Sequence, residues 1–134
     1  MHVPEEAPKK AKALAVDLTC LERWLKSHFK VMLPVNVYLV EEITVDEHEQ
    51  DTDLLIQGTC EVNQDSKCID IKVAWKQEHF VARETLMHEW AHARTMWVTD
   101  RDDIHHPPEF WLDFGRIYSK FFDEGGDKVY KDLA

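Results

Sequence analysis

Two histidines and a glutamate lie close together in the chain, at His88, Glu89 and His92. In a helix, residues four apart lie one turn above each other, so the imidazoles of His88 and His92 would project from one face. Two convergent imidazole nitrogens supply part of a zinc site, and Glu89 would stand at its edge, placed to take a proton from water at the metal. This H-E-x-x-H spacing is typical of zinc hydrolases.

The residues around the motif favour a helix. Apolar side chains recur at i, i+4, i+7 and i+11, at Leu86, Trp90, Ala93 and Trp97. Such a stripe would pack inward and leave the histidines on an adjoining face. We therefore predict a metal helix over residues 79–99.

A catalytic zinc ion usually takes three protein ligands and keeps one position for water. Downstream, residues 102–111 read DDIHHPPEFW. A helix that begins at the prolines, after a polar loop, would bring His106 back over the first helix in extended geometry. His105 is the second candidate, although neighbouring residues in an extended segment point opposite ways. Glu109 is the third, since a carboxylate in a first helical turn is also favourable without a metal.

The metzincin pattern does not fit the chain. It requires Gly three residues after the second histidine and His three residues later, where this sequence has Thr95 and Val98. No methionine follows Met96 to form a Met-turn.

HEWAHA at 88–93, followed by HHPPEFW at 105–111, resembles the SprT-like (Spartan-type) zinc metallopeptidases. The pattern of that family is H-E-x-x-H and, after a loop of similar length, H-G-P-x-F. The resemblance covers roughly residues 67–122, and Pro107 departs from it because the family usually has glycine there. Position by position, it implies a catalytic glutamate at Glu89, metal ligands at His88, His92 and His106, and matches to the family's Pro and Phe at Pro108 and Phe110.

The remaining elements follow from periodicity and turn signals. A helix is predicted from Pro8 to at most Leu33, with an inward stripe at Leu14, Leu18, Leu21 and Leu25. His28 at its end is expected to be a packing residue or a partner of the helix dipole rather than a ligand. Residues 35–40 alternate as a strand, and residues 54–62 and 67–75 form two strands joined by a turn at 63–66. A closing helix over 107–122 should end at Gly125-Gly126.

These elements predict an α+β fold: a single zincin-like domain over residues 1–134, with an N-terminal helix, a small three-stranded sheet with a hairpin, the metal helix and a C-terminal helix. Residues 1–8 and 127–134 are expected to be flexible tails. The acidic segment 41–53, which includes His48, is expected to be a solvated loop or strand edge.

The net charge restricts the expected partners, and the cysteines indicate the compartment. The formal net charge is −10, and residues 41–53 hold seven acidic side chains and no Lys or Arg. A surface of this charge repels phosphate, so we expect no direct nucleic-acid binding. No stretch is long and apolar enough for a membrane. Three cysteines without C-x-x-C spacing predict reduced thiols and a cytoplasmic location, although Cys60 and Cys68 could pair across the hairpin.

The sequence thus predicts a zinc metalloendopeptidase that hydrolyses a protein or peptide substrate, with Zn²⁺ as cofactor and Glu89 as general base. Asp102, Asp103 and Asp113 could accept hydrogen bonds that orient the loop histidines, and they are explained at least as well as loop and surface carboxylates. The alternative is a zinc-stabilised, non-catalytic protein-binding module that acts through its acidic surface. In a third interpretation the protein binds no metal and the histidines are incidental.

Overall fold

The computed structural model describes residues 1–47, 52–96 and 106–124, and the statements below concern these residues. Three helices, α1 (Lys9–His28), α2 (His79–Thr95) and α3 (Pro108–Asp123), combine with five strands. The strands are β1 (Val35–Val40), β2 (Ile43–Glu47), β3 (Thr52–Ile56), β4 (Gly58–Asn63) and β5 (Cys68–Ala74). The predicted mixed α+β class is therefore confirmed.

The main sheet has three strands in the order β1-β5-β4. β5 is central, parallel to β1 and antiparallel to β4. Its inward side chains, Ile69, Ile71 and Val73, are fully buried. Helices α1 and α2 contact this sheet and each other, and α3 packs on α2. The predicted three-stranded sheet with its hairpin is confirmed.

Helix α1 supplies much of the core. The predicted stripe at Leu14, Leu18, Leu21 and Leu25 is at most 1 % exposed. Burial of each such side chain contributes about 1.5–3 kcal/mol, so the stripe fixes the helix on the sheet. His28 packs beside Trp24 at a ring distance of 5.0 Å, and its Nδ1 lies 2.9 Å from the Trp24 carbonyl oxygen. The prediction of a packing role for His28 is confirmed.

The prediction of one strand over residues 54–62 is wrong. The chain leaves β3 at Ile56 and begins β4 at Gly58, and β3 pairs with β2 as a separate two-stranded antiparallel sheet. Strand β2 was not predicted because acidic residues are depleted in strands. The acidic segment 41–53 is therefore more typical of a loop. His48 and the other residues of 48–51 lie outside the described residues.

The N-terminal residues 1–8, predicted to be a flexible tail, are placed against the fold. His2 forms a parallel bridge with Tyr38: its N–H donates to the Val37 carbonyl, and its carbonyl accepts from the Leu39 N–H, both at 2.8 Å. Ala7 is buried. Main-chain pairing with a strand edge does not depend on a side-chain pattern, which is why the sequence did not reveal it.

Several predicted ends fall near the limits of the described residues. Helix α2 is described to Thr95, so the predicted extension to residue 99, with Trp97, lies outside the described part. Helix α3 ends at Asp123, before the predicted Gly125-Gly126 stop, and Glu124 is its C-cap. The glycines and the predicted tail 127–134 lie outside the described residues.

The three cysteines are free thiols. Across the hairpin, Cys60 is opposite Ile71 and Cys68 is opposite Asn63, so the two thiols do not face each other. The pairing that the sequence left open is therefore not formed. Within the described ranges, no helix has the length and hydropathy to span a membrane.

Candidate metal centre

Two faces of helix α2 have different roles. Leu86, Trp90 and Ala93 are at most 1 % exposed and form its core face. The indole N–H of Trp90 donates to the Phe29 carbonyl oxygen at 2.8 Å, so this buried polar group is satisfied. On an adjoining face, His88 and His92 are half-buried, with ring centroids 4.9 Å apart. The core face thus orients the histidine pair toward α3.

His106 is brought to this pair from the chain just before α3. Pro107 is the N-cap of α3 in extended geometry (φ −67°, ψ 166°), in agreement with the expectation that the helix begins at the prolines. The nearest potential ligand atoms of His88, His92 and His106 all lie within 4.8 Å of one another. The predicted ligand set is therefore brought together in space.

One pair of these nitrogens has nearly the spacing of two zinc ligands. His106 Nε2 lies 3.2 Å from His88 Nε2. Two nitrogens bound to zinc at about 2.0–2.1 Å in a tetrahedral arrangement would be about 3.3–3.4 Å apart. Three imidazoles also leave a fourth position free, as catalytic zinc sites do. Imidazole suits other transition metals too, so the donor set fits zinc without being unique to it.

Phe110 lies against all three imidazoles. Its ring is stacked on His92 at 4.2 Å, and its centroid is 4.8 Å from both His88 and His106. Phe110 is fully buried and belongs to α3, whereas two of the histidines belong to α2. The packing of α3 on α2 thereby fixes the orientation of the candidate ligands.

The surroundings of His88 favour its neutral imidazole. Burial lowers the pKa of His88, and the like charge of His106 lowers that pKa further. The neutral ring is the form that presents a lone pair to a metal. At His88, the surroundings therefore stabilise the protonation state that a metal ligand requires.

Glu89 lies beside the histidines without joining their cluster. It is 7 % exposed, and burial raises the pKa of its carboxyl to about 7. A group with a pKa near neutrality can both accept and return a proton, which suits a general base. This is the position expected of the H-E-x-x-H glutamate.

Gly58 lets β4 lie close to α2, a role that its position in the sequence did not reveal. A Cβ at this position would lie 2.6 Å from Thr85 Cγ2 and 3.1 Å from Glu89 Cγ. Only glycine therefore permits β4 to approach α2 this closely beside Glu89. The sequence offered one signal for this contact: an isolated glycine within a predicted strand often marks a close approach of another backbone.

A cleft of about 620 Å³ lies over the centre. Residues Gly58 to Glu61 of β4 form one wall, and Met96 and the candidate ligands lie opposite. Within the part of the chain that the structure describes, β4 pairs only with β5, so its other side is a free edge. The cleft thus combines three imidazoles, the carboxylates of Glu61 and Glu89, and an unpaired strand edge.

Cys60 lies in the same wall. Burial, together with the charges of Glu89 and Glu61, raises the pKa of its thiol to about 12. The thiol therefore stays protonated at neutral pH, and Cys60 is poorly suited to act as a nucleophile.

The other candidates differ from the three histidines. Glu109 does not join the ligand cluster, and its buried Oε2 has no hydrogen-bond partner among the described residues. Asp113, one of the three possible partners of the loop histidines, accepts a hydrogen bond from Arg94 Nε at 2.8 Å. His105, Asp102 and Asp103 lie outside the described residues.

Comparisons of the chain with protein-family models, with curated proteins and with solved structures found no match.

Proposed function

We propose that this chain is a zinc-dependent metallopeptidase with a zincin-like fold of the SprT-like type. The observation that carries the proposal is the convergence of His88, His92 and His106 within 4.8 Å, beside a buried glutamate and an open cleft. His88 and His92 come from one helix turn, and His106 comes from the chain just before the next helix. This is the arrangement that the H-E-x-x-H motif and its third histidine require.

The three histidines would hold the metal through neutral imidazole nitrogens. When bound, Zn²⁺ supplies Lewis-acid chemistry, which lowers the pKa of water and polarises a scissile carbonyl. Glu89 accepts the proton of the attacking water on its carboxylate and returns it to the nitrogen of the leaving amine. Its raised pKa, about 7, allows both transfers at neutral pH.

The free edge of β4 would bind the substrate main chain. An extended peptide can pair with an exposed strand edge through backbone hydrogen bonds, which need little side-chain specificity. β4 is the hairpin strand that lines the cleft, whereas β5 is central and paired on both sides. A protein or peptide placed on β4 would lie alongside His88 and Glu89.

Hydrolysis is favoured over a purely structural zinc module by Glu89. A structural site has no use for a buried carboxylate beside its ligands, because burial of an unpaired carboxyl costs free energy. Three free thiols fit a reducing compartment, so a cytoplasmic location belongs to the same proposal. The net charge of −10 favours a protein substrate over nucleic acid.

The test is digestion of a diverse peptide library by the zinc-loaded protein, read by mass spectrometry, beside a Glu89→Gln variant. We expect cuts with the native protein and none with the variant, while metal analysis gives equal zinc in both. Intact peptides in both samples, with zinc retained, would instead favour the non-catalytic binding module. Absence of zinc from both would contradict the two zinc-based functions.

A further inference from the structure

A second, smaller cavity adjoins the candidate metal centre. Its volume is about 250 Å³, below the roughly 300–1,000 Å³ of sites that enclose drug-sized ligands. It shares His88, Glu89 and Gly58 with the cleft and extends from them toward the beginning of α2. A cavity of this size beside the reacting groups suits one side chain of a bound peptide.

The walls of this cavity are apolar on two sides. Val81 of α2 and Phe114 of α3 line it, and both are half-buried. The methylene groups of a long side chain would replace water against these walls, which is favourable in proportion to the apolar area covered. The cavity thus provides a surface for an aliphatic stem.

Glu84 gives the same cavity an acidic group. The hydroxyl of Tyr118 donates to Glu84 Oε1 at 2.8 Å and fixes the carboxylate between α2 and α3. Among the described residues, no Lys or Arg forms an ion pair with Glu84. Its second oxygen therefore remains able to accept a charge-assisted hydrogen bond from a ligand.

We propose that this cavity is a specificity pocket for a Lys or Arg side chain of the substrate, with Glu84 as the residue that recognises its charge. The aliphatic stem packs between Val81 and Phe114, and the cationic end meets Glu84 while Tyr118 holds the carboxylate in place. The net charge of −10 adds a long-range attraction for basic segments. The inference rests on the proposed function, because it assigns the substrate class of the same site.

Peptide binding, measured without cleavage, tests the pocket independently of catalysis. The probes are acetylated and amidated alanine-based hexapeptides that carry one Lys or one norleucine, moved through each position. Norleucine keeps the stem of lysine but lacks its charge. Binding to zinc-loaded Glu89→Gln protein is measured by calorimetry, so that no cleavage interferes. We expect about five- to tenfold tighter binding of the Lys peptide at one position.

The same titration with a Glu84→Gln/Glu89→Gln double variant should abolish the preference for Lys. Glu78→Gln, added to Glu89→Gln, is the matched control, because Glu78 is an exposed glutamate next to α2 that does not line the cavity. Equal binding of the Lys and norleucine peptides, or a preference that survives Glu84→Gln, would overturn the inference.

The peptide library separates this outcome from failure of the proposed function. Cuts without enrichment of Lys or Arg at a fixed position would refute the pocket and leave the metallopeptidase intact. Absence of all cuts would count against the enzyme, and the calorimetric comparison would still decide whether Glu84 selects a basic side chain. Tyr118→Phe should weaken the Lys preference less than Glu84→Gln, since it removes only the positioning contact.

Discussion

The interface of α1 with the rest of the core and the interface of α2 with α3 are built from different side chains. Leucines such as Leu14, Leu18 and Leu25 fill the first and are fully buried. The second holds three imidazoles around Phe110, and His106 is exposed. Burial alone explains the first interface. In the second, the clustered imidazoles are side chains that could hold a metal ion, which is the role that the proposed function gives them.

The largest expected effect is on metal binding at the second interface. His106→Ala removes one of three ligands and should weaken zinc affinity more than about 100-fold, beyond the 10–100-fold typical when a supporting residue is lost. His105→Ala is the matched control and should leave the affinity nearly unchanged. Competition titration with a chelating dye measures both, and the reverse ranking would overturn the ligand assignment.

A cavity in the first interface should affect stability and leave the metal untouched. Leu18 is fully buried, so Leu18→Ala should lower the free energy of unfolding by about 2–5 kcal/mol. Urea denaturation of the apo protein measures the loss. If the folded variant also loses zinc affinity, the two interfaces are more strongly coupled than their different composition indicates.

Gly58 tests both regions at once, because it belongs to strand β4 of the sheet and lies beside Glu89 of the candidate site. Gly58→Ala places a Cβ against Thr85 and Glu89, so β4 must shift, at a cost of about 1–3 kcal/mol. Peptidase activity should fall together with stability, since Glu89 is displaced. Denaturation and cleavage assays on the same preparation measure the two effects.

Gly115→Ala is the control for this change. Gly115 lies within α3, and a Cβ there meets no atom within 4 Å. Alanine should therefore stabilise the helix, by about 0.5–1 kcal/mol, without loss of activity. Equal effects of the two substitutions would argue against a close approach of β4 to α2.

At neutral pH the smallest expected effect is that of Cys60. Because burial raises the pKa of its thiol from 9.0 to about 12, the folded protein keeps a proton that the unfolded chain loses above pH 9. The contribution of Cys60 to stability is complete below pH 9 and is lost as the pH rises toward 12. Comparing the pH dependence of unfolding for native and Cys60→Ala protein measures it, and identical profiles between pH 9 and 11 would contradict the raised pKa of this thiol.

Local periodicity was enough to predict much of the fold. The stripe of α1, strand β1 and the helical position of His88 and His92 follow from spacings within one element, which the helix or strand geometry sets directly. The acidic hairpin β2-β3 and the pairing of His2 with Tyr38 did not follow. Both are held by backbone hydrogen bonds, which form whatever the side-chain types are, so no side-chain pattern signals them.

The sequence by itself determined that two histidines and Glu89 share one helix turn, because four residues make about one turn of any α-helix. Only the tertiary structure decided the rest of the site. It brings His106 to the pair, sets Phe110 under the three imidazoles, and places Glu84 beside the cleft. These contacts join residues of separate elements, and their distances depend on how the buried faces of α2, α3 and the sheet pack together.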